Sequence, residues 1–349
     1  MIITELSAGP ELDELAARAS AITAAASQAR VGNGALTWQP AEIAADLRHQ
    51  VPSVLHRWLL LSDGDHDLAA ITMEANTDTD GPPDSELWLP PGTDPARVMP
   101  RFVAISRDFA SSLGRRTFCA WHLHDERTDR LASPVGIGSI GRDQVAELLL
   151  AAGARLAQVY RISALELVDE PIAAPLAEGR QPAGYRLVSW FGSTPEKWLP
   201  QVAAMHSVTM ADAPSGETGY VPEQFSVERV AADEAMAVAS GRELVSVLGL
   251  ASDGQPAGLT QIAVQVGAEL AYQWDTVVVP EQRGHGLGRA LKMANAALVR
   301  TQHPQVRRVI TFNAAENTHM LRINEELGWA PIAHKGVWVL PATAEQNPS

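Results

Sequence analysis

The chain has a single cysteine, Cys119, among its 349 residues. One thiol cannot form a disulfide within the chain and cannot build a zinc site that needs several cysteines. His122 and His124 lie two residues apart on a predicted strand, but no cluster of further ligand residues surrounds them. We therefore predict a protein of a reducing compartment, the cytoplasm, that holds no metal, with both histidines on an ordinary strand surface.

Basic residues are also few, since 27 Lys and Arg stand against 41 Asp and Glu and leave a formal net charge of −14. Proteins that bind nucleic acid through its phosphates need a basic face, so this balance argues against a nucleic-acid partner. It favours cationic partners instead. No apolar stretch approaches about 18 residues without a charge, Pro or Gly, so we expect no membrane span. The acidic start of the sequence, MIITELSAGPELDEL, does not resemble a secretory signal.

Length and composition predict two globular domains, because 46% of the residues are apolar and only 19% are charged. Residues 169–184 contain three prolines and two glycines without apolar periodicity, and we interpret them as an extended linker. This divides the chain into domains at residues 1–168 and 185–349. Both halves end in a glycine followed by a strand rich in Val, Leu and aromatics, at 153–167 and 328–340. Two copies of one α/β unit explain this repeat better than one large sheet.

The most informative segment is a glycine-rich loop between a β-branched strand that ends at Pro280 and a predicted helix. Glycines at alternate positions let the backbone turn tightly and direct successive N–H groups at one point, where the helix N-terminus adds partial positive charge. We interpret the loop as a pyrophosphate site. It lacks the Gly-Lys-Ser/Thr of a Walker loop, and its G-x-G-x-G spacing is not the Rossmann pattern. The loop comprises Arg283, Gly284, His285, Gly286, Leu287, Gly288 and Arg289.

This loop, Arg283-Gly-His-Gly-Leu-Gly288, resembles the Arg/Gln-x-x-Gly-x-Gly/Ala acyl-CoA motif of the GNAT N-acetyltransferase superfamily. The run from Thr311 to Trp329 is similar to that superfamily's next strand and helix, with Asn313 and Asn317 in place. The likeness is specific over residues 243–340 and weaker back to Tyr185. The sequence is similar to that of actinobacterial tandem proteins, in which two such domains are fused.

The resemblance implies an α/β (α+β) protein of two GNAT folds, each a mixed, mostly antiparallel twisted sheet flanked by helices. It implies acetyl-CoA as co-substrate, with the pantetheine arm between two strands that splay apart at a bulge. An exposed strand edge can pair with the amides of pantetheine. The implied cofactor-binding residues are Val277, Val278, Val279, Arg283, Gly284, His285, Gly286, Leu287, Gly288, Arg289, Asn313 and Asn317.

Acyl transfer to an amine needs a base, because an alkyl amine of pKa ~10 is mostly protonated at neutral pH. Asp275 is our first candidate, since it shares a strand face with Val277. A purely structural role for Asp275, and Glu269 or Asp212 as the base, stay open.

Many family members carry a tyrosine that protonates the departing thiolate, and here Asn324 occupies that position. An amide cannot donate a proton in the acid–base sense. Three alternatives follow for the thiolate: another group protonates it, it leaves with the help of solvent, or the domain is catalytically impaired.

The first half has no equivalent pyrophosphate loop, because the corresponding loop at 90–97 contains Asp94 and three prolines, which lack N–H groups. We therefore predict a degenerate, non-catalytic first domain that packs on the second and shapes the acceptor pocket.

The predicted function is transfer of an acetyl or acyl group to the primary amine of a small, cationic metabolite or antibiotic in a ternary complex. An acyl-CoA-binding regulatory or scaffold protein is the alternative, and protein-lysine acetylation is a third. Monomer and homodimer both stay open.

Overall fold

A computed structural model describes residues 1–49, 51–167 and 182–343. Residues 169–181 of the predicted linker lie outside this description. The described residues form fourteen strands and eight α-helices. Within these ranges, no helix combines the length and the apolar character needed to cross a membrane.

The first half begins with a strand and two helices and continues through a hairpin. Its strands are β1 Ile2–Glu5, β2 Val54–Asp63, β3 His66–Asn76, β4 Asp84–Trp88, β5 Thr117–Leu123, β6 Arg130–Ala132, β7 Ser139–Gly141 and β8 Arg155–Glu166. Its helices are α1 Leu12–Val31, α2 Pro40–Arg48, α3 Pro95–Ser112 and α4 Gln144–Ala151.

The second half repeats this order from its own first strand, except that its described residues have no counterpart of β6 and β7. Its strands are β9 Tyr185–Phe191, β10 Arg242–Ala251, β11 Pro256–Gln265, β12 Leu270–Val278, β13 Arg308–Ala314 and β14 Ala330–Pro341. Its helices are α5 Leu199–Asp212, α6 Val227–Ala239, α7 Leu287–Gln302 and α8 Thr318–Glu326.

Twelve of the strands form one continuous sheet in the order β1-β2-β3-β4-β5-β14-β8-β13-β12-β11-β10-β9. Its neighbours are antiparallel except for β4 with β5 and β12 with β13, which pair in parallel. The parallel pairs are the two connections that pass through a long helix, α3 and α7, as parallel pairing requires. The predicted mixed, mostly antiparallel sheet flanked by helices is confirmed.

The two halves exchange their last strands. β8 of the first half pairs with β13 of the second, and β14 of the second half pairs with β5 of the first. The two exchanged strands also pair with each other and form the centre of the sheet. The sequence repeat is therefore real, but it builds one joined sheet rather than the two separate sheets that we expected from the pattern.

The exchange also explains why the prediction of surface histidines was wrong. His122 and His124 are each only 2% exposed. His124 Nδ1 lies 3.0 Å from Asp143 Oδ1, and the indole Nε1 of Trp338 on β14 donates to His124 Nε2 at 3.1 Å. Strand β14 of the second half thus helps to bury two histidines that the local sequence pattern places on the surface. No group of three or more possible metal-ligand side chains occurs in the part of the chain described.

In the first half, the loop that corresponds to the glycine-rich loop caps the following helix with one of its own side chains. Asp94 precedes α3 and accepts a hydrogen bond from the backbone N–H of Ala96 at 3.0 Å. Pro95 follows as the first residue of the helix and has no N–H. This helix end therefore presents a carboxylate where an anion would bind.

Candidate active site

A bulge in β12 separates it from β13. The two strands pair only from Leu270–Tyr272 to Arg308–Ile310. Beyond that point Trp274 and Asp275 together oppose Gln261 of β11, which is the two-against-one geometry of a β-bulge. The bulge bends β12 away from its neighbour, and a cleft of ≈ 820 Å³ lies at the splay.

The glycine loop forms the outer end of this cleft. Gly284 and Gly286 have φ of 80° and 75°, the left-handed region that favours glycine. Gly286 is also the N-cap of α7, and no side chain in the described ranges caps that helix end. An uncapped helix N-terminus combines free N–H groups with partial positive charge, so it is suited to a phosphate.

The side chains beside the loop hold its shape. Arg283 donates through Nε to the Val278 carbonyl at 3.0 Å and forms an ion pair with Asp212. The Tyr185 hydroxyl donates to Gln282 Oε1 at 2.7 Å. Asp212, one of the alternative bases, is thus engaged with the loop arginine.

Most of the predicted cofactor-binding residues come together at the cleft. Those that line it are Val277, Val278, Arg283, Gly284, Gly286, Leu287, Gly288, Arg289, Asn313 and Asn317. Val279 packs against a core that includes Trp190 and Trp198, and the exposed His285 turns towards the Gln282 carbonyl at 3.3 Å. Trp274 also lines the cleft.

Asp275 lines the cleft and is paired with a residue that sequence reasoning missed. Its Oδ2 lies 2.5 Å from Nδ1 of His206, a partly buried residue of α5 whose ring packs against Phe225. Burial lowers the pKa of His206, but the hydrogen bond and charge of Asp275 outweigh burial, so the net shift is upward. No local signal reveals this pair, because 69 positions separate its members.

The other alternative base, Glu269, lies apart from the cleft. It is exposed and pairs with Arg307 at 3.5 Å. Asp275 is therefore the carboxylate at the bulge itself, whereas Glu269 and Asp212 are each engaged with an arginine.

Asn324 is fully buried behind the cleft wall. Its Nδ2 donates to Asn313 Oδ1 at 2.8 Å, and Asn313 in turn lines the cleft. Asn324 therefore orients Asn313 by a direct hydrogen bond.

A tyrosine from the first half of the chain lines the cleft, whereas Asn324 lies behind its wall. Tyr160 lies on the exchanged strand β8, and burial, with the charge of Asp84 nearby, raises the pKa of its hydroxyl well above the ordinary value. The remaining tyrosines are engaged elsewhere: Tyr272 donates to the Ala35 carbonyl at 3.0 Å, and Tyr220 contacts Met210 Sδ at 3.1 Å.

Lys292 of α7 is buried although it carries a basic side chain. It is 1% exposed, its Nζ donates to Gln273 Oε1 at 3.3 Å, and it also lines the cleft. Burial alone lowers the pKa of Lys292 to about 7.

This architecture is similar to that of several solved structures. A tandem GNAT protein from the clavulanic acid biosynthesis pathway gives a TM-score of 0.74 at 24% identity, over 98% of this chain and 99% of that one. A GCN5-related N-acetyltransferase from Sphaerobacter thermophilus gives 0.63 at 14% identity, over 97% and 96%. No protein-family model and no curated protein matched the sequence. The shared order of elements over nearly the whole chain shows that this protein has the tandem GNAT fold.

Proposed function

We propose that this protein is an acyl-CoA-dependent N-acyltransferase whose active site lies in the second half of the chain. The observation that carries the proposal is a single cleft that joins an uncapped helix N-terminus, a diverging strand edge and a carboxylate. The solved relatives described as N-acetyltransferases support the same chemistry.

The donor would bind with its pyrophosphate on the amides from Gly284 to Arg289. Its pantetheine amides would pair with the β12 edge at Val277 and Val278, since an extended ligand can add to a strand as a further strand does. Arg289 lines the cleft and supplies charge to the same end.

Asp275 is proposed as the group that accepts the first proton of the acceptor ammonium, with His206 holding the carboxylate in place. The neutral amine then attacks the thioester carbonyl, so that a C–N bond forms and the C–S bond breaks. Of the two protons that the ammonium loses in total, one reaches solvent through Asp275 and the other ends on the CoA sulfur. We assign the donation to sulfur to the Tyr160 hydroxyl, which lines the same cleft, and the second proton of the amine then restores that hydroxyl.

The acceptor is proposed to be a small cationic amine. The chain carries a net charge of −14, and Asp275 stands in the cleft wall. Three acids of residues 211–224 are each paired with an arginine: Asp212 with Arg283, Glu217 with Arg155 and Glu223 with Arg229. A metabolite or an antibiotic with a primary amine fits this description.

A protein that binds acyl-CoA without turnover is the second candidate, and Asn324 in place of a proton-donating tyrosine is the observation that favours it. Calorimetry with CoA and acetyl-CoA, followed by thiol release with diamines, aminoglycosides and a lysine peptide, separates the candidates. Binding with thiol release supports the enzyme, and the amine that reacts identifies the acceptor class. Binding without release across the panel supports the second candidate, and absence of CoA binding contradicts both.

A further inference from the structure

Lys292 is a buried cation without an anionic partner. Its side chain is 1% exposed, and among the described residues no carboxylate lies within ion-pair distance of it. Its contacts are the neutral oxygen of Gln273 at 3.3 Å and the ring of Trp329, 4.6 Å from Nζ to the centroid. An apolar residue would fill this place at lower cost, because burying an ammonium group without a counterion is strongly unfavourable.

The Gln273 side chain is fixed with its oxygen towards the lysine. Its Nε2 donates to the Gln261 carbonyl at 2.6 Å and to Thr260 Oγ1 at 3.1 Å. The amide therefore cannot turn without losing both bonds. Gln273 aims the ammonium group but leaves two of its three N–H donors for another acceptor.

Lys292 lies at the inner end of the cleft. Gln273 is the first residue of β12 beyond its pairing with β13, and Thr311 is the first of β13, so both mark the point where the strands diverge. From Val278 to Gln273 the strand extends roughly 16 Å, at about 3.3 Å per residue. A donor anchored by its pyrophosphate at the outer end would thus carry its acyl group towards Lys292 and Thr311.

Resting on the proposed function, we propose that Lys292 binds a carboxylate at the end of the donor's acyl chain, and that the donor is the CoA thioester of a short dicarboxylic acid. The carboxylate provides the anionic partner that the folded chain lacks. Thr311 also lines the cleft, and its hydroxyl is the donor that we propose for a second hydrogen bond.

The test compares succinyl-CoA, malonyl-CoA, acetyl-CoA and CoA by calorimetry for the wild-type protein and for Lys292→Met, an uncharged side chain of similar length. Arg300→Met is the matched control, because Arg300 is an exposed cation of the same helix. We expect the wild type and R300M to bind one of the dicarboxylic donors at least about tenfold more tightly than acetyl-CoA. In K292M that preference should disappear while the affinity for CoA stays within about twofold.

Equal binding of all acyl donors by the wild type would overturn this inference while leaving the proposed function intact. The same holds if K292M keeps the wild-type preference, or if peptide mass spectrometry finds the acyl group on Lys292 itself, which would make the lysine an acceptor. Failure of every CoA species to bind would instead contradict the proposed function. Retained CoA binding by K292M shows that the variant is folded.

Discussion

Tyr160 lies directly opposite Ala314 in the antiparallel pairing of β8 with β13. The first residue belongs to the first half of the chain and the second to the strand that forms one wall of the cleft. The exchange of strands therefore makes the first half part of the candidate active site, in addition to any packing role. The role proposed for Tyr160 would give the first half a part in the chemistry, although its own loop carries Asp94 and Pro95 at the start of α3.

Replacing Tyr160 with phenylalanine tests that contribution. If its hydroxyl protonates the departing thiolate, Tyr160→Phe should lower kcat by about 10²-fold while the dissociation constant of acetyl-CoA stays unchanged. Tyr272→Phe is the control, because it also removes one hydroxyl, in this case one that donates to the Ala35 carbonyl away from the cleft. Equal turnover by Y160F and wild type would remove Tyr160 from the mechanism.

A carboxylate placed in the glycine loop should prevent CoA binding. In Gly286→Glu the new charge would stand at the uncapped end of α7, where the phosphates are expected, so calorimetry should detect no binding. Gly254→Glu is the control, since Gly254 has a similar φ of 83° and equally open surroundings on a turn between β10 and β11. Undiminished affinity in G286E would place the pyrophosphate elsewhere.

The His206–Asp275 pair should stabilise the protein in a pH-dependent way. The pKa of His206 is raised in the folded state, so the stabilisation is complete below the unfolded value near 6.5 and is lost as the pH rises through the folded pKa. Asp275→Asn should therefore lower the free energy of unfolding by about 1–2 kcal/mol at about pH 5.5 and by less at about pH 9. Urea denaturation at both pH values measures this, with the exposed Asp253→Asn as control. A loss of equal size at both would show that the pair is not ionic.

The burial of Lys292 should reduce stability at neutral pH. Because the folded pKa is about 7 and the ordinary value is 10.5, the unfolded chain binds the extra proton between these values, and stability rises with pH across that window. Lys292→Met should increase the free energy of unfolding by an amount on the order of 4 kcal/mol at about pH 7, and by less than about 1 kcal/mol at about pH 10. Guanidinium denaturation of K292M and R300M at both pH values checks the difference. A gain that is independent of pH would reflect packing rather than the charge.

Local sequence was sufficient for the features that depend on neighbouring residues. The glycines at 284, 286 and 288 after a β-branched strand predicted the loop and the start of the helix, because backbone freedom and N–H direction are local properties. Repeated elements likewise predicted two copies of one α/β unit. The elements from Gly153 and Gly328 onward are found as β8 and β14.

Features that depend on strand order could not be read in this way. The sequence of each half predicts a last strand after a glycine. The neighbours of that strand in the sheet are decided by pairing between residues more than a hundred positions apart. This pairing buried His124 under Trp338, and it brought Tyr160 to a cleft whose loop lies in the other half.

The sequence by itself determined that a glycine-rich loop joins a strand to a helix, since this follows from residue types at short spacing. Only the tertiary structure decided which side chains face that loop's cleft. Tyr160 and Lys292 reach it from an exchanged strand and from a buried helix face, and His206 contacts the cleft residue Asp275 from a packed helix. Their roles depend on contacts across the fold, because burial and ion pairing are properties of the assembled chain rather than of any one segment.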